Sequence, residues 1–490
     1  MVLFPHCPLK SFYESLSNFS RILHCIYRVR STTPEKYIEY VHIPFAIYIE
    51  TRCKGSREST VRHRSEHNEH RGDQISPVAV TSPPELATLT GGIINLSSFD
   101  KCFAPVPLHL LLVFDQPIND PVQTVKKAVS MALVHYHPMA GRLVSGADDR
   151  ELIHIACTGV GVSFVGASAS CTLDQVSTSP LLVRDLTLRY PADYCRPGDP
   201  LLLMQVTEFA CGGFTVSVTW NHVVADGAGM AQFLQAVDEL ARGMPAPSVV
   251  PIRAVVDGSL PCLPPEVVAA MRSQMSVGME EMAILDATVP WSLISRIKRE
   301  CSGECTTFDA VAALFWQCRT RAVVISDPDT PAPLFFPSSM RGLIGGAAKH
   351  GYYGNCVMRQ PVEAKSGTVA SGDVKDLVKL IRLAKRKNIP GMLTITKGGG
   401  GGTETPPPRC KYNTLVVTSL RNLGLDAVDL GRGSPARVMP PLCKAERTAS
   451  NFCVLCPPCK GKDGVNVVSI CVKPEHADAF ARELAALGIC

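Results

Sequence analysis

No apolar run in this 490-residue chain is long enough to cross a bilayer as a helix. The first twenty residues, MVLFPHCPLKSFYESLSNFS, are broken by Pro5, His6, Pro8, Lys10 and Glu14, so they hold no apolar block of the signal-peptide kind. These absences predict a cytoplasmic protein with no membrane partner. Strong charge is missing too. A net charge of +5 is slight for this length, and no basic face interleaved with aromatics occurs, so nucleic acid is not an expected partner. In a reducing compartment the twenty cysteines read as small buried hydrophobes rather than as a disulfide framework. There is no G-x-S-x-G elbow and no local signature of a nucleophilic cysteine, which argues against a covalent acyl-enzyme.

What is present suits a globular enzyme-sized chain. With 46% apolar and 19% charged residues the sequence can bury a sizeable core, and its length favours two domains. Residues 1–76 differ from the rest and hold six of the thirteen histidines. RHRSEHNEHRGDQ (Arg62 to Gln74) has neither helical nor strand period and reads as solvated linker, so the extension is expected to be poorly ordered; YIEYVHIPFAIYIE before it has the composition of a strand. Beyond it, strands and helices alternate. HLLLVFDQP (His109 to Pro117) reads as a strand, and PVQTVKKAVSMALVHY (Pro121 to Tyr136) as a helix opened by Pro121. The proline-rich stretch from Gly243 to Val268 reads as a connection, which places an N-terminal domain at 77–242, a crossover at 243–290 and a C-terminal domain at 291–490. TTFDAVAALFWQCRTRAV (Thr306 to Val323) reads as a buried helix with Thr306 or Thr307 as N-cap. TKGGGGGTETPPPRC (Thr396 to Cys410) reads as a surface loop rather than a phosphate cradle, because Lys397 precedes the glycines and no strand leads in.

One short stretch carries chemistry. In GFTVSVTW, Phe214, Val216, Val218 and Trp220 alternate with Thr215, Ser217 and Thr219, the pattern of a half-buried strand. From Met230 to Ala241 the apolar spacing is helical, and Gly243 stands where a helix would stop. Between them, NHVVADG sets His222 and Asp226 four apart, in a loop at a strand end where rigid scaffolds often present reactive groups. Spacing alone decides little. With thirteen histidines, chance supplies about 0.6 His-x-x-x-Asp pairs, and the chain has one. A reading of a different class rests on CVLCPPC (Cys453 to Cys459), with Cys443 as a fourth ligand, a cysteine-rich metal-binding module. Against it, NFCVLCPPCKGKDGVNVVSICV reads as two strands joined by a Pro/Gly turn, so no metal is expected.

Distant motifs break the tie. LSSFD (Leu96 to Asp100), YHPMAGRL (Tyr136 to Leu143), the run from Gly198 to Gly227, FDAVAALFWQCRTRA (Phe308 to Ala322), GYYGNC (Gly351 to Cys356) and DLGRG (Asp429 to Gly433) occur in one order over residues 77–490. Together they resemble the plant BAHD acyltransferases, and most closely the grass hydroxycinnamoyl- and benzoyl-transferase-like branch of plant secondary metabolism. The resemblance implies an α/β fold of two chloramphenicol-acetyltransferase-like domains with a channel between them. It implies acyl-CoA as co-substrate with no other cofactor, a small alcohol or, as second choice, amine acceptor, and a monomer. His222 would be the general base, Asp226 a structural residue paired with Arg341, and Gly227 a place where chain and ligand approach closely. Asp429, Gly431 and Gly433 would belong to a structural motif away from the reacting atoms. An alcohol is a poor nucleophile at neutral pH, so an imidazole with a pKa near 6.5 supplies what direct attack on a thioester needs.

Some positions depart from the family pattern. DLGRG stands for the usual DFGWG, with Leu430 and Arg432; Ser339 replaces an asparagine two before the arginine. Leu420 replaces a tryptophan after Thr-Ser, leaving Thr418 as the expected oxyanion or acceptor contact. These departures also motivate an alternative, a folded relative with impaired catalysis. Chloramphenicol acetyltransferases and peptide-synthetase condensation domains share the spacing but favour a second histidine where this chain has Asn221.

Overall fold

The computed structural model describes residues 61–64 and 77–489, apart from 87–90, 104–105, 146–151, 175–179, 192–193, 255–259, 261, 275–280, 324–326, 345–347, 398–411 and 443–450. All of them belong to one compact unit, Ile49–Cys490. Within it two α/β domains each build on a mixed sheet. In the first, β1 (Val61–Arg64), β7 (Val162–Ala169), β8 (Leu202–Phe209), β9 (Phe214–Asn221), β4 (Pro107–Phe114) and β14 (Arg437–Met439) lie side by side, with β2 (Val78–Val80) also on β7. In the second the order is β10 (Ala283–Pro290), β16 (Gly464–Val472), β15 (Phe452–Leu455), β13 (Leu415–Ser419), β11 (Leu334–Ser339) and β12 (Val357–Val362). Both sheets mix hairpins with parallel pairs, β7 with β8 in one and β11–β13–β15 in the other. A small sheet of β3 (Ile93–Asn95), β6 (Leu152–Ala156) and β5 (Arg142–Ser145) stands apart.

The helices form where the patterns place them. They are α1 (Ser98–Phe103), α2 (Pro121–His135), α3 (Gly227–Ala241), α4 (Pro265–Gln274), α5 (Thr307–Ala322) and α6 (Pro474–Ala485), among others. Pro121 opens α2 after the N-cap Asp120, and Thr306 with Asp309 makes a full capping box on α5. Helices α2 and α3 cover one face of the first sheet, burying Val125, Val129, Leu133, Phe233, Leu234 and Val237 against Leu112, Met204, Val216 and Trp220. In the second domain, α5 is buried nearly throughout, with α6 against it through the edge-on ring pair of Phe315 and Phe480.

Several local expectations change. Strand β9 is buried on both faces, not one, and described residues of the stretch before β8 pack on the face of the sheet that carries its polar side chains. There Gln205 donates to the Asp185 carbonyl at 2.8 Å, and Leu203 packs with Tyr190 and Cys195. That covering segment is too irregular to announce itself. The stretch 283–290, placed in the crossover by composition, is strand β10 paired with β16, and the crossover also holds α4. Val61–Arg64, expected within solvated linker, pairs antiparallel with β7, since a sheet edge accepts backbone whatever the side-chain period. YIEYVHIPFAIYIE, the glycine run after Lys397 and Cys443 lie outside the described residues. Among the described residues no helix is long and apolar enough to cross a membrane.

Candidate active site

The turn after β9 is built first from its own residues. The Asn221 side-chain oxygen accepts from Val223 N–H at 3.0 Å, and the Trp220 indole N–H reaches the Ala225 carbonyl at 2.9 Å. Asp226 then caps α3, accepting from Gly229 N–H at 3.0 Å. These bonds carry the chain from strand to helix in five residues and leave His222 at the corner, 8% exposed.

Asp226 is turned away from the imidazole and fully committed elsewhere. Arg341 grips it in a fork, Nη1 to Oδ2 and Nη2 to Oδ1 each at 2.7 Å, and Cys356 N–H donates to Oδ2 at 3.1 Å. Arg341 also donates to the carbonyls of Gly354 and Tyr352. The substituted Ser339 still serves this turn, its Oγ accepting from Arg341 N–H at 3.3 Å. The expected Asp226–Arg341 pair is therefore present.

Four residues to which the sequence reading gave no role complete the corner. The Asp100 carboxylate, fully buried, accepts from Ser97 as a capping box, from Asn355 Nδ2 at 2.9 Å and from Arg253 Nη2 at 3.0 Å. Asn355 and Arg253 spend their other donors on the turn itself. Asn355 Nδ2 bonds the His222 carbonyl at 2.7 Å, while Arg253 bonds those of Val223 and Val224 at 3.0 and 3.1 Å. Burial opposes the charge of Arg253, but Asp100 with Tyr352 and Tyr353 together outweigh it and hold the guanidinium above its ordinary pKa. Phe103, at the end of α1, lies flat on the imidazole with ring centroids 4.2 Å apart. LSSFD contains the S-x-x-D capping signal and GYYGNC contains Asn355, so two of the four were within reach. Arg253 sits in an aperiodic proline-rich stretch and offered none.

Burial lowers the His222 pKa below the usual histidine value; its own carbonyl, Asp226 and Asn355 pull the other way without prevailing. None of the described residues makes a hydrogen bond to Nδ1. The ring is thus neutral near pH 7, as a base must be.

A second glycine, two residues on from Gly227, carries the steric demand within the chain. A Cβ on Gly227 would meet only Leu423 Cδ1 at 3.6 Å, ordinary contact, whereas a Cβ on Gly229 would overlap the Tyr353 carbonyl. Close approach of chain to chain therefore falls on Gly229. Gly229→Ala is expected to destabilise by about 1–3 kcal/mol, as overpacking against backbone does, while Gly227→Ala leaves the melting temperature within a degree or two by the same reasoning. Thermal melts of both variants check this, and equal melting of the two would refute it.

Thr418 lies half-buried on β13, and among the described residues no hydrogen bond joins it to the His222 turn. Leu420 packs against the core of the first domain and against a smaller cluster that includes Met282, Val454 and Ile470. In DLGRG, the Asp238 carboxylate of α3 accepts from the N–H groups of Asp429 and Leu430 at 3.1 and 2.7 Å. It holds Leu430 at φ +51°, followed by Gly431 and Gly433 at +93° and +112°. Arg242 bridges Asp238 at 2.8 Å and Asp429 at 3.5 Å. The motif thus pins a loop of the second half to α3, with Arg432 exposed. Of the candidate metal cysteines, Cys453 and Cys456 are buried in and just after β15. Burial pushes the Cys456 thiol up to about 12.

The profile described as "Transferase family" matches residues 83–487. Acyl transferase 15 of Oryza sativa subsp. japonica is 43% identical over 438 residues, covering 84% of this chain and 98% of its own. A myricetin 3-O-glucosyl 1,2-rhamnoside 6'-O-caffeoyltransferase, AT2, of Crocosmia x crocosmiiflora is 33% identical over 432 residues, with 84% and 98% covered. Among solved structures, vinorine synthase superposes with a TM-score of 0.65 at 16% identity, over 85% of this chain and 98% of that one.

Proposed function

The chain belongs to the plant BAHD acyltransferase family, and from that premise we propose that it moves an acyl group from acyl-CoA to a hydroxyl by general-base catalysis within a ternary complex. The observation that carries the reading is the neutral, buried imidazole of His222 on a turn held from both domains while Asp226 faces Arg341. With Nδ1 buried, Nε2 takes the acceptor's proton as the oxygen attacks the thioester carbon; the C–S bond then breaks and the imidazolium returns the proton to the leaving thiolate, so that free CoA departs and the base is regenerated. Asp226, Gly227 and Arg341 support the site without touching the reacting atoms, Thr418 is the assigned oxyanion or acceptor contact, and Asp429, Gly431 and Gly433 secure the loop on α3. Hydroxycinnamoyl and benzoyl donors are the first assignment, supported by the caffeoyl transfer named for the Crocosmia relative. An alcohol is preferred to an amine. The protein acts as a cytoplasmic monomer without metal, and residues 77–490 form the catalytic unit.

The test is a screen of p-coumaroyl-, caffeoyl- and benzoyl-CoA against pooled plant alcohols and amines, reading free CoA. Acceptor-dependent release is the expected result. Its kcat/KM should fall in acid with a midpoint below 6.5, because the folded pKa is depressed and the base is lost only as pH drops through it. No acceptor-dependent release from any donor would favour an impaired relative, the reading that Leu420 motivates.

A further inference from the structure

In the usual arrangement of a histidine base, a carboxylate or carbonyl bonds the far ring nitrogen and fixes the plane of the imidazole. Here the polar groups that bear on the ring, its own carbonyl and the Asn355 side chain, raise its pKa without making a hydrogen bond to Nδ1. Asp226 is spent on Arg341, Gly229 and Cys356, and Nδ1 has no hydrogen-bond partner among the described residues. What does meet the ring is a phenyl face. Phe103 is 4% exposed, its ring 4.2 Å from the imidazole by centroid and inclined by 11°.

We propose that Phe103 is a positioning residue for the base: it holds the plane of His222 toward the substrate and lends an aromatic face to the imidazolium formed as the proton is taken. The proposal rests on the assignment of His222 as base.

The element carrying Phe103 is fixed well enough for that role. Helix α1 is capped by Ser97 and Asp100, and Ser98 Oγ accepts from Leu263 N–H at 2.8 Å. Phe99, Cys102 and Phe103 pack with Met340, Tyr352, Cys356 and Leu263. The same short helix thus reaches His222 twice. Asp100 acts through Asn355 on its carbonyl, and Phe103 acts directly on its ring. Backbone and side chain of the base are referred to one rigid body. A stacked phenyl also favours the charged imidazole through its negative face, most strongly where water is excluded. The charges that bear on the ring are Asp226 on its own turn, which raises its pKa, and Arg359 of β12, which lowers it. Near α1 the Cys102 and Cys356 thiols are pushed up to about 12 by burial and stay neutral. Asp100 and Arg253 face each other as a closed pair. None of these groups is altered by changing Phe103.

The experiment uses the full chain, wild type and with Phe103→Leu, Phe103→Met and Phe103→Tyr. Histidine labelled with 13C at Cε1 reports the ring without substrate, and the His222 signal is the one lost in His222→Gln. In Phe103→Leu and Phe103→Met the signal should move downfield as the ring current disappears. Its titration midpoint should fall by about half to one pH unit, as loss of a cation–π contact predicts, and Phe103→Tyr should restore both. In the p-coumaroyl-CoA release assay, kcat should drop roughly tenfold in Phe103→Leu with KM for the thioester unchanged, the signature of a lost transition-state contribution. If neither aliphatic variant moves the midpoint or kcat, or the loss lies in KM alone, the proposal is overturned. If one aliphatic variant fails to fold, the other decides. Should His222→Gln itself keep wild-type turnover, the base assignment falls first; an inactive His222→Gln beside a normal Phe103→Leu removes only the role of Phe103.

Discussion

Replacing His222 with alanine is expected to lower kcat and kcat/KM together by about a hundred- to ten-thousandfold, the usual worth of a positioned general base, while KM for the acyl-CoA stays put. An interaction made only in the transition state gives that signature. The fold should survive. The bonds that locate residue 222 are backbone ones, its N–H to the Val106 carbonyl at 2.8 Å and its carbonyl from Asn355 at 2.7 Å, and alanine keeps both. What is lost is the ring stack with Phe103, about 1 kcal/mol. Free CoA release measures the rate and a thermal melt measures the fold. A variant within a few-fold of wild type would remove His222 from the role of base.

Arg341→Met should do the opposite, unfolding the site before it touches any chemistry. The Asp226 side chain is 3% exposed, and its carboxylate keeps only the N–H groups of Gly229 and Cys356 once the guanidinium is gone. Removing one member of a buried ion pair costs about 3–5 kcal/mol, because the other is left charged and dry. The reverse change, Asp226→Ala, strands a side chain that is 18% exposed and still bonded to the carbonyls of Tyr352 and Gly354. It should cost less of the stability but lose the N-cap of α3 as well, about 1 kcal/mol. Chemical denaturation of the three proteins gives the order wild type, Asp226→Ala, Arg341→Met. Equal midpoints would show that Asp226 does not hold the turn. Both variants should also lose turnover, since the carboxylate sits four residues from the base.

The strands and helices around this corner were legible because each satisfies a local rule. The periods of β9 and α3, the capping box at Thr306 and the proline at the start of α2 need only neighbours in sequence. The Asp226–Arg341 pair came from a family resemblance, as nothing local joins residues 115 positions apart. Arg253, Asn355 and Phe103 went unassigned for the same reason, being brought to the turn only by packing of the crossover, the second domain and α1. Gly229 went unassigned for the same reason. A glycine beside the motif invites a role, but only the Tyr353 carbonyl, set against α3 by tertiary structure, shows that Gly229 carries the steric demand.

Strand β14 has a further consequence. It lies after β13 in the chain, yet it closes the edge of the first sheet against β4, pairing Arg437 to Met439 with Val113 to Leu111. A ribosome therefore delivers the first sheet long before its last strand. The charges at Asp100 and Asp226 must likewise wait for Arg253, Arg341 and Asn355 to emerge. Until then the first domain is an incomplete nucleus with an open edge and two unneutralised acids. The first sheet and the corner bearing His222 are therefore completed only when the second half of the chain is present. Two pieces of the chain expressed apart would keep the bonds within residues 220–229 and lose those that Arg341 and Asn355 make to the turn.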